Sequence, residues 1–338
     1  MIRAISHLID DASFGGINRM LEYMESSPEL AKIADHRIVP VRRGQLSAPT
    51  LGADLIVSHL SISWANLPML TALRAAYPNT PIVHMEHSYS ERFVALHVEN
   101  RDRFTALLQT AYALFDKVVA VSEMQGAWLN RRGLCPPGSL LVIEPCVDLD
   151  PFLAHEGHRD APEFVIGAIG RFDLQKGFDI LIDAFRQVRR ADLALHLYGD
   201  GPDVDDLQNR AKGHPAIIFK GYTADVPAAM AACDAIALPS RWEPYGLVAV
   251  EAMAVDRPVL CPRHDGLIGH IAAGAHDIGE NSAAGWTAAL EALDVDAQRR
   301  PCGRTRAHAA GAGRRFAKAW AGLVDEVFND RDAEAGAA

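Results

Sequence analysis

The chain has 338 residues, 49% of them hydrophobic and 22% charged, which excludes disorder over most of its length and suggests about two domains. Thirty-three basic and 43 acidic residues leave a net charge of -10. That balance argues against sequence-independent nucleic-acid binding, which cations on phosphates mostly carry. No apolar run approaches the roughly 20 residues of a membrane-spanning helix, and Asp10 and Asp11 close the first apolar stretch, so no signal peptide is expected. Cys135, Cys146, Cys233, Cys261 and Cys302 are widely spaced with no CxxC pair. Neither a disulfide framework nor a zinc site is expected, and the expected compartment is the reducing cytoplasm.

Residues 2–9 (IRAISHLI) read as a buried strand. FGGINR (14–19) follows, in which Gly15 and Gly16 permit a close approach to the backbone and Asn18 and Arg19 begin a helix. It matches neither GxGxxG nor GxxxxGK[ST], and a simple turn stays open as the alternative. Strands at 54–58 and 81–85 flank a helical pattern at 64–76. The second of them runs out into HMEHSYSER (84–92), placing His84, Glu86 and His87 at the carboxyl end of a strand. Satisfied structural histidines are the alternative there, and for His84 the favoured one. A helix over 101–115 and a strand over 117–121 come next. RDRFTALL (101–108) and MQGAWLNRRGL (124–134) mix basic and bulky apolar residues. They fit either two amphipathic core helices, the favoured reading, or a surface meeting a membrane. At 145–162 (PCVDLDPFLAHEGHRDAP) the rhythm stops, with Pro145, Pro151 and Pro162 and no period, which predicts a linker.

Beyond it, strands are predicted at 164–169, 193–198, 216–219, 234–238 and 258–261, with helices near 177–190, 203–212, 225–232 and 247–255. GRFDLQKG (170–177) sets Arg171 and Lys176 on either side of a turn entering a helix. Two cations beside a helix N-terminus suit a diphosphate, or are solvated charges of a capped turn. RWEPYGLVAVEAM (241–253) puts Glu243 in a loop and Glu251 about two turns into a helix. The backbone N–H groups of Tyr245, Gly246 and Leu247 then form an anion site at the helix start. An ordinary surface helix is the alternative. The DxD triplets Asp148–Asp150 and Asp203–Asp205 read as linker and helix start, so no metal site is expected. In RRFAKAWAGLVDEVF (314–328), Phe316, Trp320, Leu323, Val324 and Val327 fall near one helical face, and the end, DAEAGAA, is expected to fray.

The alternation predicts an α/β chain of two doubly wound, Rossmann-like parallel-sheet domains facing a deep cleft, with ligands outside the strands' carboxyl ends. The expected divisions are 1–150, 151–312, a helix over 313–330 and a tail over 331–338.

In this order, the motifs resemble the retaining glycosyltransferases of family 4, with the two-domain GT-B fold, over nearly the whole chain. GRFDLQKG is similar to that family's G-R-x-x-x-x-K-G, and Glu243 and Glu251 to its E-x₇-E within E-P-[FY]-G-L-x-x-x-E-A-M. Val147-Asp148 followed by Phe152 resembles G-V-D…F, with Cys146 where glycine is usual, and GGINR resembles the glycine-rich loop of the first domain. MEHS resembles the histidine motif and places His87 on the family's active-site histidine. Where the family often has G-G-x-x-E, this chain has Asp265-Gly266-Leu267-Ile268-Gly269.

The resemblance implies transfer of a sugar from a UDP- or GDP-linked donor to a glycan, lipid-linked or small-molecule acceptor. The configuration is retained, with no cofactor beyond the donor and no divalent metal. Arg171 and Lys176 would grip the diphosphate and Glu251 the ribose. Glu243 would contact sugar hydroxyls beside the Tyr245–Leu247 backbone. Gly15 and Gly16 would approach the phosphates, and His87 would border the reacting sugar. The C-terminal helix would pack on the first domain, which would take the acceptor, with peripheral contact at the inner membrane face if that acceptor is a lipid. An epimerase or hydrolase of nucleotide sugars and a catalytically silent interaction protein are the alternatives.

Overall fold

The computed structural model describes residues 2–11, 15–155, 161–300 and 303–337. Phe14, Cys302 and part of the expected linker lie outside them. Among the described residues the chain forms two six-stranded sheets, every pairing parallel. The chain divides into two units, one running to Asp148 and resuming at Ala312, the other spanning Leu149–Gly311.

The first sheet contains β1 (Arg3–Ile9), β2 (Ala34–Pro40), β3 (Leu55–Ser58), β4 (Ile82–Glu86), β5 (Lys117–Ala120) and β6 (Leu140–Val142), in the order β2-β1-β3-β4-β5-β6. Helices cover both faces of its central strands, and every residue of β3, β4 and β5 is buried, the polar Ser58, His84, Glu86 and Lys117 included. Leu8, Ile56, Ile82, Leu108, Tyr112, Val118, Trp128 and Leu129 belong to one core cluster. Ser90 and Ser122 start helices Glu91–His97 and Glu123–Arg131 by accepting from the Phe93 and Gln125 amides. Leu107, Leu108, Trp128 and Leu129 of RDRFTALL and MQGAWLNRRGL are buried core residues, while Phe104 and Met124 of the same stretches are partly exposed. The helix Ala312–Ala337 completes this unit, burying Phe316, Trp320, Leu323, Val324 and Val327. Its assigned end is Ala337. Lys117 Nζ and Glu326 Oε1 meet at 2.6 Å and tie it to β5.

The second sheet contains β7 (Phe164–Ile169), β8 (Leu193–Tyr198), β9 (Ile217–Gly221), β10 (Ala235–Ala237), β11 (Val259–Cys261) and β12 (His276–Asp277), in the order β12-β11-β10-β7-β8-β9. Read from β9, this is the doubly wound order 3-2-1-4-5-6, whose winding reverses between β7 and β10. Phe164, Ile166, Phe178, Leu181, Phe185, Leu195, Leu197 and Trp286 belong to its core cluster. Asp148–Asp150 leads into a short helix, Asp150–Leu153, and Asp203 precedes the helix Val204–Ala211.

Strands β2, β6 and β12 were absent from the sequence-based expectation. β2 (ADHRIVP) carries Asp35 and Arg37 because its edge position leaves alternate side chains exposed, while His36 between them is buried. β6 and β12 have only three and two residues, too few to show a period.

Candidate functional site

The crevice of the second unit is set by β7 and β10, neighbours at the reversal point. The loops that leave their carboxyl ends, residues 170–177 and 238–246, lie against each other. Gly177 has φ +66°, and a Cβ there would stand 2.2 Å from the Pro239 carbonyl oxygen, so only glycine permits this approach. The Arg241 amide donates to the Gln175 carbonyl (2.7 Å), and Gln175 Nε2 donates to the Trp242 carbonyl (3.2 Å). The Arg241 guanidinium grips Asp179 with two parallel bonds of 2.8 and 2.6 Å. Asp179 is held below the usual carboxylate range: burial opposes its charge, and the Arg241 bonds overcome that. From the far side Asn281 Nδ2 donates to the Pro239 and Ser240 carbonyls, both at 3.0 Å.

This junction joins two of the expected site residues directly. Lys176 Nζ lies 2.6 Å from Glu243 Oε2, which also accepts from Ser240 Oγ at 3.0 Å. Arg171, 65% exposed along its side chain, pairs with Asp173 Oδ2 at 2.5 Å. Asp173 Oδ1 also caps the turn by accepting from the Lys176 amide at 3.2 Å. Each cation is therefore matched by a carboxylate, so an anionic ligand must compete with or share those partners.

Glu243 is fixed from the other flank as well. Its amide donates to Asp265 Oδ2 (3.3 Å), and its carbonyl accepts from the Gly266 amide (3.0 Å). Gly246, at φ +98°, precedes the helix Leu247–Ala254. The Tyr245 ring is buried edge-on to His270 at 4.9 Å, and His270 Nε2 donates to the Tyr245 carbonyl (2.9 Å). Burial lowers the His270 pKa to about 4, so this ring is neutral near pH 7. Glu251 is 1% exposed, on the same helix. Gly269 lies in the helix Leu267–Ala273 with open space around the place a Cβ would take.

In the first unit Gly15 precedes the helix Gly16–Ser26 in extended backbone, and the Arg19 amide donates to its carbonyl (3.2 Å). His84 and Glu86 are core groups. His84 stacks on Phe115 at 4.9 Å and lies 3.3 Å from Ser58 Oγ and 3.4 Å from Glu86 Oε2. Glu86 accepts from Tyr112 Oη (2.7 Å) and from the Ser88 and Tyr89 amides. It faces away from His87, as consecutive strand residues do. His87 Nε2 instead meets His59 Nδ1 at 2.8 Å, and burial lowers its pKa to about 4.

Sequence reasoning passed over Asp179, Arg241, Ser240, His270 and His59, and gave Asp265 no role. Arg241 stands inside the motif that was read, but its partner Asp179 lies 62 residues away. Among the described residues no group of three or more His, Cys, Asp or Glu is placed to hold a metal ion, and no helix is long and apolar enough to cross a membrane.

Comparison with known proteins supplies the family. Residues 28–151 match the Glycosyltransferase Family 4 model, and residues 163–294 match the model for Glycosyl transferases group 1. The mannosylfructose-phosphate synthase of Agrobacterium fabrum is 36% identical over 127 residues, which are 33% of this chain and 28% of that one. The chain spans 28% to 58% of the lengths of the first three curated relatives it matches. Among solved structures, sucrose-phosphate synthase from Thermosynechococcus elongatus superposes with a TM-score of 0.74 at 20% identity, covering 97% of this chain and 100% of that one. Anabaena HepE in complex with UDP and glucose gives 0.69 at 19% identity, with the same coverage. Two glycosyltransferase models in succession, and a fold shared end to end with these structures, place the chain in the family 4-like glycosyltransferases of the GT-B fold.

Proposed function

We propose that the chain is a hexosyltransferase that takes a sugar from a UDP- or GDP-linked donor and passes it, with retention of configuration, to a saccharide, lipid or small-molecule acceptor. The observation that carries this reading is the locked pair of loops at the β7–β10 reversal, which presents Lys176, Glu243 and the Gly246–Leu247 helix start together. That is where a doubly wound sheet binds its ligand. HepE, which shares the fold, was crystallised with UDP and glucose and also with UDP-glucose.

In the proposed reaction the bond from the anomeric carbon to the diphosphate oxygen breaks, and the electron pair leaves with the phosphate. Lys176 and Arg171 stabilise that charge, aided by the helix N-terminus. Lys176 is held by Glu243, which keeps the ammonium in place before the donor arrives and then turns to sugar hydroxyls. Glu251 takes the ribose, Gly15 and Gly16 approach the phosphates, and His87 borders the reacting sugar. The acceptor oxygen bonds to the anomeric carbon on the face the phosphate leaves, and its proton passes to that phosphate. No step needs a divalent metal, because two side-chain cations and a helix terminus supply the positive charge.

The test is incubation of the protein with a panel of nucleotide sugars and acceptors in excess EDTA, with products followed by proton NMR. Free nucleoside diphosphate with a glycosylated product of the donor's anomeric form is expected. Epimerised or hydrolysed donor would replace this reading with an isomerase or hydrolase, and absence of any donor binding would leave an interaction protein. Activity lost in EDTA and restored by magnesium would refute the metal-free step.

A further inference from the structure

His87 is the last of four imidazoles in unbroken contact. His36 Nδ1 meets His7 Nε2 at 2.9 Å, His7 Nδ1 meets His59 Nε2 at 3.0 Å, and His59 Nδ1 meets His87 Nε2 at 2.8 Å. Each adjacent pair of rings lies at 5.1 to 5.2 Å between centroids and is tilted by 28° to 29°.

The sheet register produces this line. His36 on β2 lies opposite Ile5 on β1, and His7 is two residues further on. Leu8 pairs with Ser58, which sets His59 level with Ile9, again two residues on from His7. Ser58 pairs with His84, which sets His59 level with Met85, and His87 is two beyond that. Each step crosses one strand and advances two residues, so all four side chains fall on one face of the sheet. Trp320 covers the inner end, edge-on to His7 at 5.8 Å and to His36 at 6.2 Å.

Proton counting restricts what such a line can hold. His7, His36 and His59 are 0%, 7% and 5% exposed. Burial is the main cause that lowers the pKa of all four rings, so they are neutral near pH 7. A neutral imidazole has one N–H and one bare nitrogen. Every N···N contact needs one of each, so three of the four protons lie in the three contacts. The fourth sits at one end, on His36 Nε2 or on His87 Nδ1. The two choices make all four rings Nε2–H tautomers or all four Nδ1–H tautomers. At the inner end the Asp35 carboxylate favours a proton on His36, while the buried Nε2 of that ring has no hydrogen-bond partner among the described residues to receive one. At the outer end Glu86 draws one to His87 and His84 opposes it. Glu86 is already engaged by Tyr112 and the Ser88 and Tyr89 amides on the other face.

We propose that His36, His7 and His59 act as positioning residues that hold His87 in a single tautomer, the one all four rings share, and so fix whether its Nδ1 meets a substrate hydroxyl as donor or as acceptor. The use of that nitrogen rests on the proposed glycosyl transfer; the coupled tautomers do not. His36 thereby sets the state of a ring three contacts away without touching it.

The test is nitrogen-15 NMR of the histidine side chains in the full chain at neutral pH. The unsubstituted protein should show His7, His36, His59 and His87 all in the same single tautomer. His36→Phe should shift the His87 Nδ1 resonance from its single-tautomer position toward an averaged one, and should lower kcat several-fold with the donor KM unchanged. His59→Phe, which removes the direct contact, should shift it at least as far. Mixed tautomers in the unsubstituted protein, or a His87 signal unmoved by both substitutions, would overturn the proposal. The wild-type spectrum decides the matter even if a variant fails to fold. Tautomers as expected, in a protein with no transfer activity, would leave the coupling standing and remove only the reading of the activity.

Discussion

Replacing Gly177 with alanine tests whether the two site loops are locked as described. An L-residue in the left-handed conformation at this position costs on the order of 1 kcal/mol. The added Cβ would also stand 2.2 Å from the Pro239 carbonyl oxygen. A comfortable separation is about 3.5 Å, so the loops must part by about 1 Å, a strain typical of overpacking at about 1–3 kcal/mol. The expected loss of stability is therefore about 2–4 kcal/mol. Gly213→Ala is the internal control: it has φ +80° but nothing within 4 Å of its Cβ position, so only the conformational cost of about 1 kcal/mol applies. Urea unfolding of both variants, followed by intrinsic fluorescence, reads the difference. The same displacement should pull Lys176 from Glu243 and weaken nucleoside diphosphate binding in the Gly177 variant alone. Equal losses in the two variants, or undiminished binding in Gly177→Ala, would refute the locked junction.

Other outcomes follow from the same packing. Gly269→Ala should stabilise the chain by about 0.5–1 kcal/mol in urea unfolding, because the site is helical and the space around it is open. Trp320→Ala should destabilise by about 3–5 kcal/mol, since the indole is 0% exposed against His7, His36 and Phe316; a loss under about 1 kcal/mol would show that the helix is dispensable. Stability should also fall with acid. His36 and His87 titrate at about 4 in the folded chain, and His7 and His59 well below 6.5. The unfolded chain protonates these rings near pH 6.5, so it binds more protons than the folded one below that pH. Their contribution is complete above about pH 6.5 and lost as pH falls toward about 4, and a urea midpoint unchanged between pH 7 and 5 would contradict it.

The parts that were legible before the structure are those written in contiguous residues. FVIGAI followed by GRFDLQKG, and the stretch from Asp234 through RWEPYGL, show a strand, a turn and a helix start within a few positions, and the structure places them on neighbouring strands. What joins those stretches was not legible. Arg241 reaches Asp179, Asn281 reaches Pro239, and Lys176 meets Glu243 across 67 residues, distances that only sheet order brings together. The histidine line shows the same limit more sharply. His7, His36, His59 and His87 are isolated single residues in sequence, and their alignment depends on the register of four strands. One of those strands, β2, was itself missed because its edge position lets charged residues interrupt the apolar run.

The central claim is that the second unit's loop pair binds a nucleoside diphosphate through its own cations and carboxylates. Calorimetric titration of UDP and GDP into the full chain in excess EDTA tests it most directly, alongside Lys176→Ala and Glu251→Ala. One nucleotide should bind the unsubstituted protein without metal, and each variant should bind it at least tenfold more weakly while melting as a folded protein. Binding that requires magnesium, or that is unchanged in both variants, would contradict the account.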